Sequence, residues 1–125
     1  MSSPGAKPSI FSRIIAREIP ATIVAETDRI IAFEDIAPQA PVHIVITTKA
    51  TQYRNVVELA AGDPALLAEL VRVAATIADE RTGGEFRLVF NNGAAAGQTV
   101  FHVHAHVMGV GDRSQSLGEG SLGSL

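Results

Sequence analysis

Between Phe101 and Gly109 the chain reads Phe-His-Val-His-Ala-His-Val-Met-Gly, and three of its four histidines fall there at alternate positions. Period-two alternation with β-branched and aromatic residues is the pattern of a strand, which sets His102, His104 and His106 on one face and Val103, Ala105 and Val107 on the other. The apolar row belongs against a core. A lone strand histidine is usually a hydrogen-bonded packing residue, but three imidazoles in a row opposite a core face mark a site.

The rest of the chain supplies partners for that strand. Ile10, Phe11, Ile14 and Ile15 fall at helical spacing between Pro8 and Glu18, with Ser9 as a cap and Pro20 just past the end. Ala21–Glu26 and Arg29–Glu34 read as strands joined at Thr27-Asp28, a hairpin. Asp35–Pro41 holds two prolines and is a loop feeding the strand Val42–Thr48. A polar connection follows, with a short helical turn around Arg54–Leu59. Asp63-Pro64 then starts a long helix whose stripe is Leu66, Leu67, Leu70, Val73, Ala74 and Ile77, and Gly83-Gly84 ends it. Phe86–Asn91 is the next strand, and Asn92–Thr99 is a loop of small residues leading into the histidine strand. Strands that do not alternate strictly with helices predict an α+β fold, five antiparallel strands layered with two helices.

A chain of 125 residues is one domain that buries about two thirds of its unfolded surface. It has no cysteine, which excludes disulfides and thiolate metal sites and fits a reducing compartment. Ten basic against 13 acidic residues, net charge -3, with no Lys or Arg run, offer nothing to a nucleic-acid backbone or an anionic membrane. No apolar run approaches the roughly 18 residues of a spanning helix, and the polar start lacks a signal-peptide core. The expectation is a cytoplasmic protein with a flexible N-terminal tail over residues 1–8, a folded domain over 9–111 and a Gly/Ser-rich tail over 112–125.

Three imidazoles on one face admit two chemistries. A zinc site needs three nitrogens around one ion, but side chains two apart on a straight strand are separated by about 6.5 Å, so a third ligand requires bending. Phosphoryl chemistry needs one neutral imidazole to attack phosphorus and a neighbour to serve the leaving group. The loop before the strand favours the second. Gly93, the alanines 94–96 and Gly97 permit close backbone approach, and Gln98 and Thr99 bring polar side chains to the same place, as an anion cradle requires.

His102-Val103-His104-Ala105-His106-Val107 resembles the histidine-triad motif, alternating histidine and apolar residues, of the HIT superfamily. Ile10–Ile15, Glu18–Ala21, Ala32–His43 and Gly97–Thr99 resemble, in order, the Hint branch of nucleotide-binding phosphoramidases, and the likeness runs from about Ser9 to Gly109. It implies the HIT-like fold, a homodimer whose two five-stranded sheets join into one, and a purine nucleoside monophosphate, or its phosphoramidate or acyl adenylate, bound in each subunit without a cofactor or metal.

Carried onto matching positions, the resemblance makes His104 the nucleophile that forms a nucleotidyl-histidine. His106 contacts the phosphate and leaving group, and His102 and His43 orient the site. Asp35 accepts from the ribose hydroxyls. Ile10, Phe11, Ile14, Phe33 and Ile36 wall the base, and Asn91, Gly97, Gln98 and Thr99 contact the phosphate and leaving group. Two departures concern the leaving group: Thr99 stands where the family commonly has Ser, and the chain has no Trp where Hint proteins carry a Trp-Pro segment near the C-terminus. The implied reaction is hydrolysis of the P–N bond of a nucleoside 5'-phosphoramidate to AMP or GMP. The competing readings are a dinucleoside polyphosphate hydrolase of the Fhit type, from which Gly109 after Val107-Met108 departs, and a nucleotide-binding module with little catalysis.

Overall fold

Alternating apolar residues make five strands, and their pairing places the histidines. The computed structural model describes residues 8–112 and 114–118, so the two expected tails lie largely outside the described residues. In chain order the elements are α1 (Ile10–Ile15), β1 (Ile23–Glu26), β2 (Ile30–Glu34), β3 (Val42–Thr48), α2 (Val56–Gly62), α3 (Pro64–Arg81), β4 (Arg87–Val89), a single 3₁₀ turn (Ala94–Ala96) and β5 (His104–Gly109). The strands form one antiparallel sheet in the order β1-β2-β3-β5-β4.

Register decides which side chains share a face. Val45 lies opposite His106 and Thr47 opposite His104, while Phe33 lies opposite Val45. One face of the sheet therefore carries His43, Val45, His104, His106 and Phe33, and the other carries Ile30, Ala32, Ile44, Ile46, Ala105 and Val107. The second face forms the main core with Leu59 of α2 and Leu66, Leu70, Ala74 and Ile77 of α3. The first meets α1 through a smaller cluster, Phe11 and Ile14 against Phe33 and Val45.

The helices start where their caps place them. Asp63 accepts the Leu66 N–H at 3.0 Å with Pro64 in the first turn, satisfying a free helix-end donor. Asn55 does the same for α2 through Glu58 N–H at 2.9 Å, and the Glu58 carboxylate reaches back to Arg54 N–H at 2.9 Å. These two bonds at its start turn the expected helical turn into a two-turn helix, so the described residues hold three α-helices where two were expected.

The last two strands fall furthest short of their patterns. Phe86–Asn91 contracts to Arg87–Val89, and the histidine strand begins at His104, with His102 in the bend before it. Gly109 closes β5 because a Cβ there would lie 2.5 Å from Thr82 Cγ2 and 3.2 Å from the Glu85 carbonyl oxygen. Only glycine lets the chain beyond α3 pass so close to the sheet.

Leu70 is fully buried between α3 and the sheet. Leu70→Ala should lower the unfolding free energy by about 2–5 kcal/mol, read by urea denaturation followed by circular dichroism; a loss below about 1 kcal/mol would mean that α3 does not carry the core.

Candidate active site

The histidine face of the sheet and the helix α1 enclose a cavity of 380 Å³. Its apolar lining comes from Ile10, Phe11 and Ile14 of α1, from Ile19, Pro20 and Ala21 beyond it, and from Phe33 and Val45 of the sheet. Its polar lining includes Asp35, His43, His104, His106 and Thr99, with Gly97 beside them. Phe11 joins the two, standing edge-on to His104 with ring centroids 4.8 Å apart and packed on Phe33 at 5.6 Å.

All four imidazoles are drawn out of water, and burial lowers the pKa of each. His106 is pushed furthest, to about 4, by burial first and then by His104 and His43 beside it. At neutral pH the rings are therefore uncharged, and a neutral imidazole has one N–H and one lone pair. Which nitrogen holds the proton follows from partners that can act in only one direction.

The Thr48 carbonyl oxygen only accepts, so His102 donates from Nε2 at 2.6 Å. The His102 carbonyl oxygen only accepts, so His104 donates from Nδ1 at 2.8 Å, which leaves the His104 Nε2 as a lone pair. The Gln39 backbone N–H only donates, at 2.9 Å, so His43 Nδ1 accepts and its proton sits on Nε2. That proton is given to His106 Nδ1 at 2.8 Å, which puts the His106 proton on Nε2. The two cavity-lining rings of β5 thus carry opposite equipment: His104 a free lone pair, His106 a free N–H, with ring centroids 5.4 Å apart. A lone pair beside a donor is what attack on an electrophilic phosphorus or carbonyl and stabilisation of the displaced group need.

Asp35 adds a carboxylate at the rim. Its Oδ1 accepts the Ala37 N–H at 2.8 Å, and its Oδ2 lies 3.5 Å from His43 Nε2. Asp35, His43 and His106 offer donor atoms within 4.8 Å of one another and could hold a divalent cation. An ion at usual zinc distances, about 2.0–2.1 Å from each nitrogen, would have to replace the proton shared by His43 and His106. The triad itself cannot close on a metal in this arrangement, because both ring nitrogens of His102 and Nδ1 of His104 already bond to the protein.

Of the residues singled out in the sequence, Ile10, Phe11, Ile14, Phe33, Asp35, Ile36, His43, Gly97, Thr99, His104 and His106 all line this cavity. Ile36 does so from the rim, 95 % exposed. Three do not line it. His102 stands behind His104, wholly buried. Asn91 follows the end of β4 and lies outside the lining. Gln98 is turned inward: its amide accepts the Gly93 N–H at 2.9 Å and donates to the carbonyls of Arg54 and Val100 at 2.6 and 3.0 Å. It braces the loop from within. Val45, Gln39, Val100 and the turn Ile19–Ala21 were not singled out; Val45 could have been, since it sits two residues from His43 on the same strand face, whereas Gln39 acts through its backbone.

Comparison with known proteins bears on the family and the fold. Residues 16–112 match the family model described as HIT domain. An uncharacterized HIT-like protein of Synechocystis is 49% identical over 108 residues, spanning 83% of this chain and 91% of its own length. A purine nucleoside phosphoramidase of Escherichia coli is 41% identical over 106 residues, 83% of this chain and 88% of its own. Among solved structures, a HIT family hydrolase from Clostridium thermocellum superposes with a TM-score of 0.79 at 38% identity, covering 90% of this chain and 98% of that one.

Acid should expose the burial of the imidazoles. His106 titrates near 4 when folded and near ~6.5 when unfolded, so between those values the unfolded chain binds the extra proton. The stability tied to this ring is fully present above about pH 6.5 and is lost as the pH falls toward about 4. Melting temperatures measured down that range should fall for the wild type and fall less steeply for His106→Asn; identical slopes would show that the ring is not held neutral.

Proposed function

The chain belongs to the HIT family, and from that premise we propose that it hydrolyses the P–N bond of purine nucleoside 5'-phosphoramidates through a nucleotidyl-His104 intermediate. The observation that carries the reading is the tautomer of His104: with Nδ1–H committed to the His102 carbonyl, Nε2 is a lone pair on the wall of the cavity. In this reading the base lies against Ile10, Phe11, Ile14 and Phe33. The ribose hydroxyls reach Asp35, whose Oδ2 has no backbone donor among the described residues, and the phosphate lies at the histidines and the Gly97–Thr99 turn. Ile36 caps the rim, and Thr99 presents a hydroxyl to the leaving group. Asn91 and Gln98 shape the loop.

His104 Nε2 attacks phosphorus as the P–N bond breaks, and the departing nitrogen leaves as the amine with the proton from His106 Nε2. Water then attacks phosphorus and frees His104, its hydroxyl going to phosphorus and its hydrogen back to His106, so both rings are returned unchanged. The N–H at His106 Nε2 stabilises the phosphoryl oxygens and the departing nitrogen, and His43 holds His106 in that tautomer. The E. coli relative named a purine nucleoside phosphoramidase, similar over most of the chain, supports the substrate class. The same reading makes the active form a cytoplasmic homodimer with the two sheets joined at an edge; β1 and β4 are the edge strands, and no described helix is long and apolar enough to cross a membrane.

Purified protein incubated with adenosine 5'-phosphoramidate and EDTA should release AMP, and His104→Ala should lose turnover by about 10³-fold or more while AMP still binds by calorimetry. Full activity of His104→Ala overturns the assignment. Activity that disappears with EDTA and returns with added zinc would move the chemistry to a metal at Asp35, His43 and His106.

A further inference from the structure

Behind His104 a second line of hydrogen bonds leads out of the cavity and ends on the N-terminus of α1. Ser9 caps that helix, its Oγ accepting the Ser12 N–H at 3.1 Å. The same oxygen lies 2.9 Å from Nδ1 of His102. Nε2 of His102 already holds the ring proton, bonded to the Thr48 carbonyl, so Nδ1 is a lone pair and the bond must run from the serine O–H to the ring. The Ser12 hydroxyl, 3.2 Å from Ser9 Oγ, then makes that contact with its own proton, since Ser9 has only one to give.

We propose that Ser9 is a positioning residue for His104. Its hydroxyl fixes the His102 ring, and with it the His102 carbonyl that selects the nucleophile's tautomer. The inference rests on His104 being the nucleophile. His102 lies ahead of the first ladder pair of β5, so its side-chain bonds to Thr48 and Ser9 supply the restraint that the sheet gives to His104 and His106. Phe11, two residues along α1 from Ser9, packs on both rings, with centroids 5.9 Å from His102 and 4.8 Å from His104. One hydroxyl therefore ties the wall of the base pocket to the setting of the nucleophile. A cap alone needs only an acceptor, whereas this role needs a proton as well.

Asp in place of Ser9 separates the two, because it caps a helix as well as Ser does but offers the ring no proton. The experiment compares wild type with S9T, S9A and S9D by ¹⁵N NMR of labelled histidine rings, by thermal melting, and by kcat and KM on adenosine 5'-phosphoramidate. In the wild type His102 should show the neutral Nε2–H form and His104 the Nδ1–H form. S9T should reproduce both, with kcat within about twofold. S9D should keep the melting temperature but convert His102 to the doubly protonated ring at neutral pH, with kcat down about tenfold or more and KM within about twofold. S9A should keep His102 neutral, lose the single His104 tautomer, and lower kcat similarly. Unchanged ring signals and unchanged kcat in both S9D and S9A overturn the proposal. If the wild type releases no AMP, the phosphoramidase reading fails by itself, and the ring tautomers in S9A and S9D still decide whether Ser9 sets His102 and His104.

Discussion

Three imidazoles are buried and His106 is half-buried, and a backbone group that can act in one direction only meets each of His43, His102 and His104; the candidate site depends on that constraint. A charged ring in this setting would have to be desolvated without an adequate counter-charge, so the rings stay neutral and each has a single proton to place. The carbonyls of Thr48 and His102 can only take it, and the N–H of Gln39 can only refuse it. Proton placement is therefore dictated by the backbone. Two chemically identical side chains, two residues apart on β5, become a lone pair and a donor.

The sheet makes that arrangement possible by register. His43 and His106 meet at 2.8 Å across β3 and β5 because antiparallel pairing sets Val45 opposite His106 and brings the diagonal neighbour on the same face within reach of a ring. A slip of one residue would exchange the histidine face for the valine–alanine face and turn the imidazoles into the core under α3. The apolar residues that hold β5 in place, Val103, Ala105 and Val107, thus also specify which way the chemistry faces. Stability and reactivity are read from alternate positions of one segment.

The α+β class, the order of the elements and the long helix from Asp63-Pro64 were legible because each rests on local rules: period two, period 3.6, a cap and a proline. Those rules alone did not join Phe11, Phe33 and Asp35 to the two histidines of β5; the resemblance to the histidine-triad pattern did, and all five line one cavity. What was not legible depended on partners distant in sequence. His102 obeys the alternation but stands ahead of the ladder, held by Thr48 and Ser9, which lie 54 and 93 residues away. Gln98 reads as a ligand because it is polar and sits in a small-residue loop, yet three backbone groups already meet its amide. The second turn of α2 was hidden for a different reason: its start is signalled by Asn55 and Glu58 acting together, and neither alone is a strong mark.

The inward turn of Gln98 bears on how an anion would be met. Gly93 and Gly97 hold backbone conformations at φ 98° and 101° that side-chain-bearing residues rarely adopt, and Gln98 ties Gly93 to the segments at Arg54 and Val100. A loop already closed by its own amide has little left to order when a ligand arrives, so the entropy of fixing it is not charged to binding. With Gln98 committed to this brace, Thr99 is the loop side chain on the cavity wall that offers a hydroxyl. In the proposed reading, discrimination between leaving groups would fall on the Thr99 hydroxyl and its methyl, whereas the nucleotide base would be met by Ile10, Phe11, Ile14 and Phe33. A substrate so placed would be read by different physics in its two halves, burial for the base and directed hydrogen bonds for the phosphate.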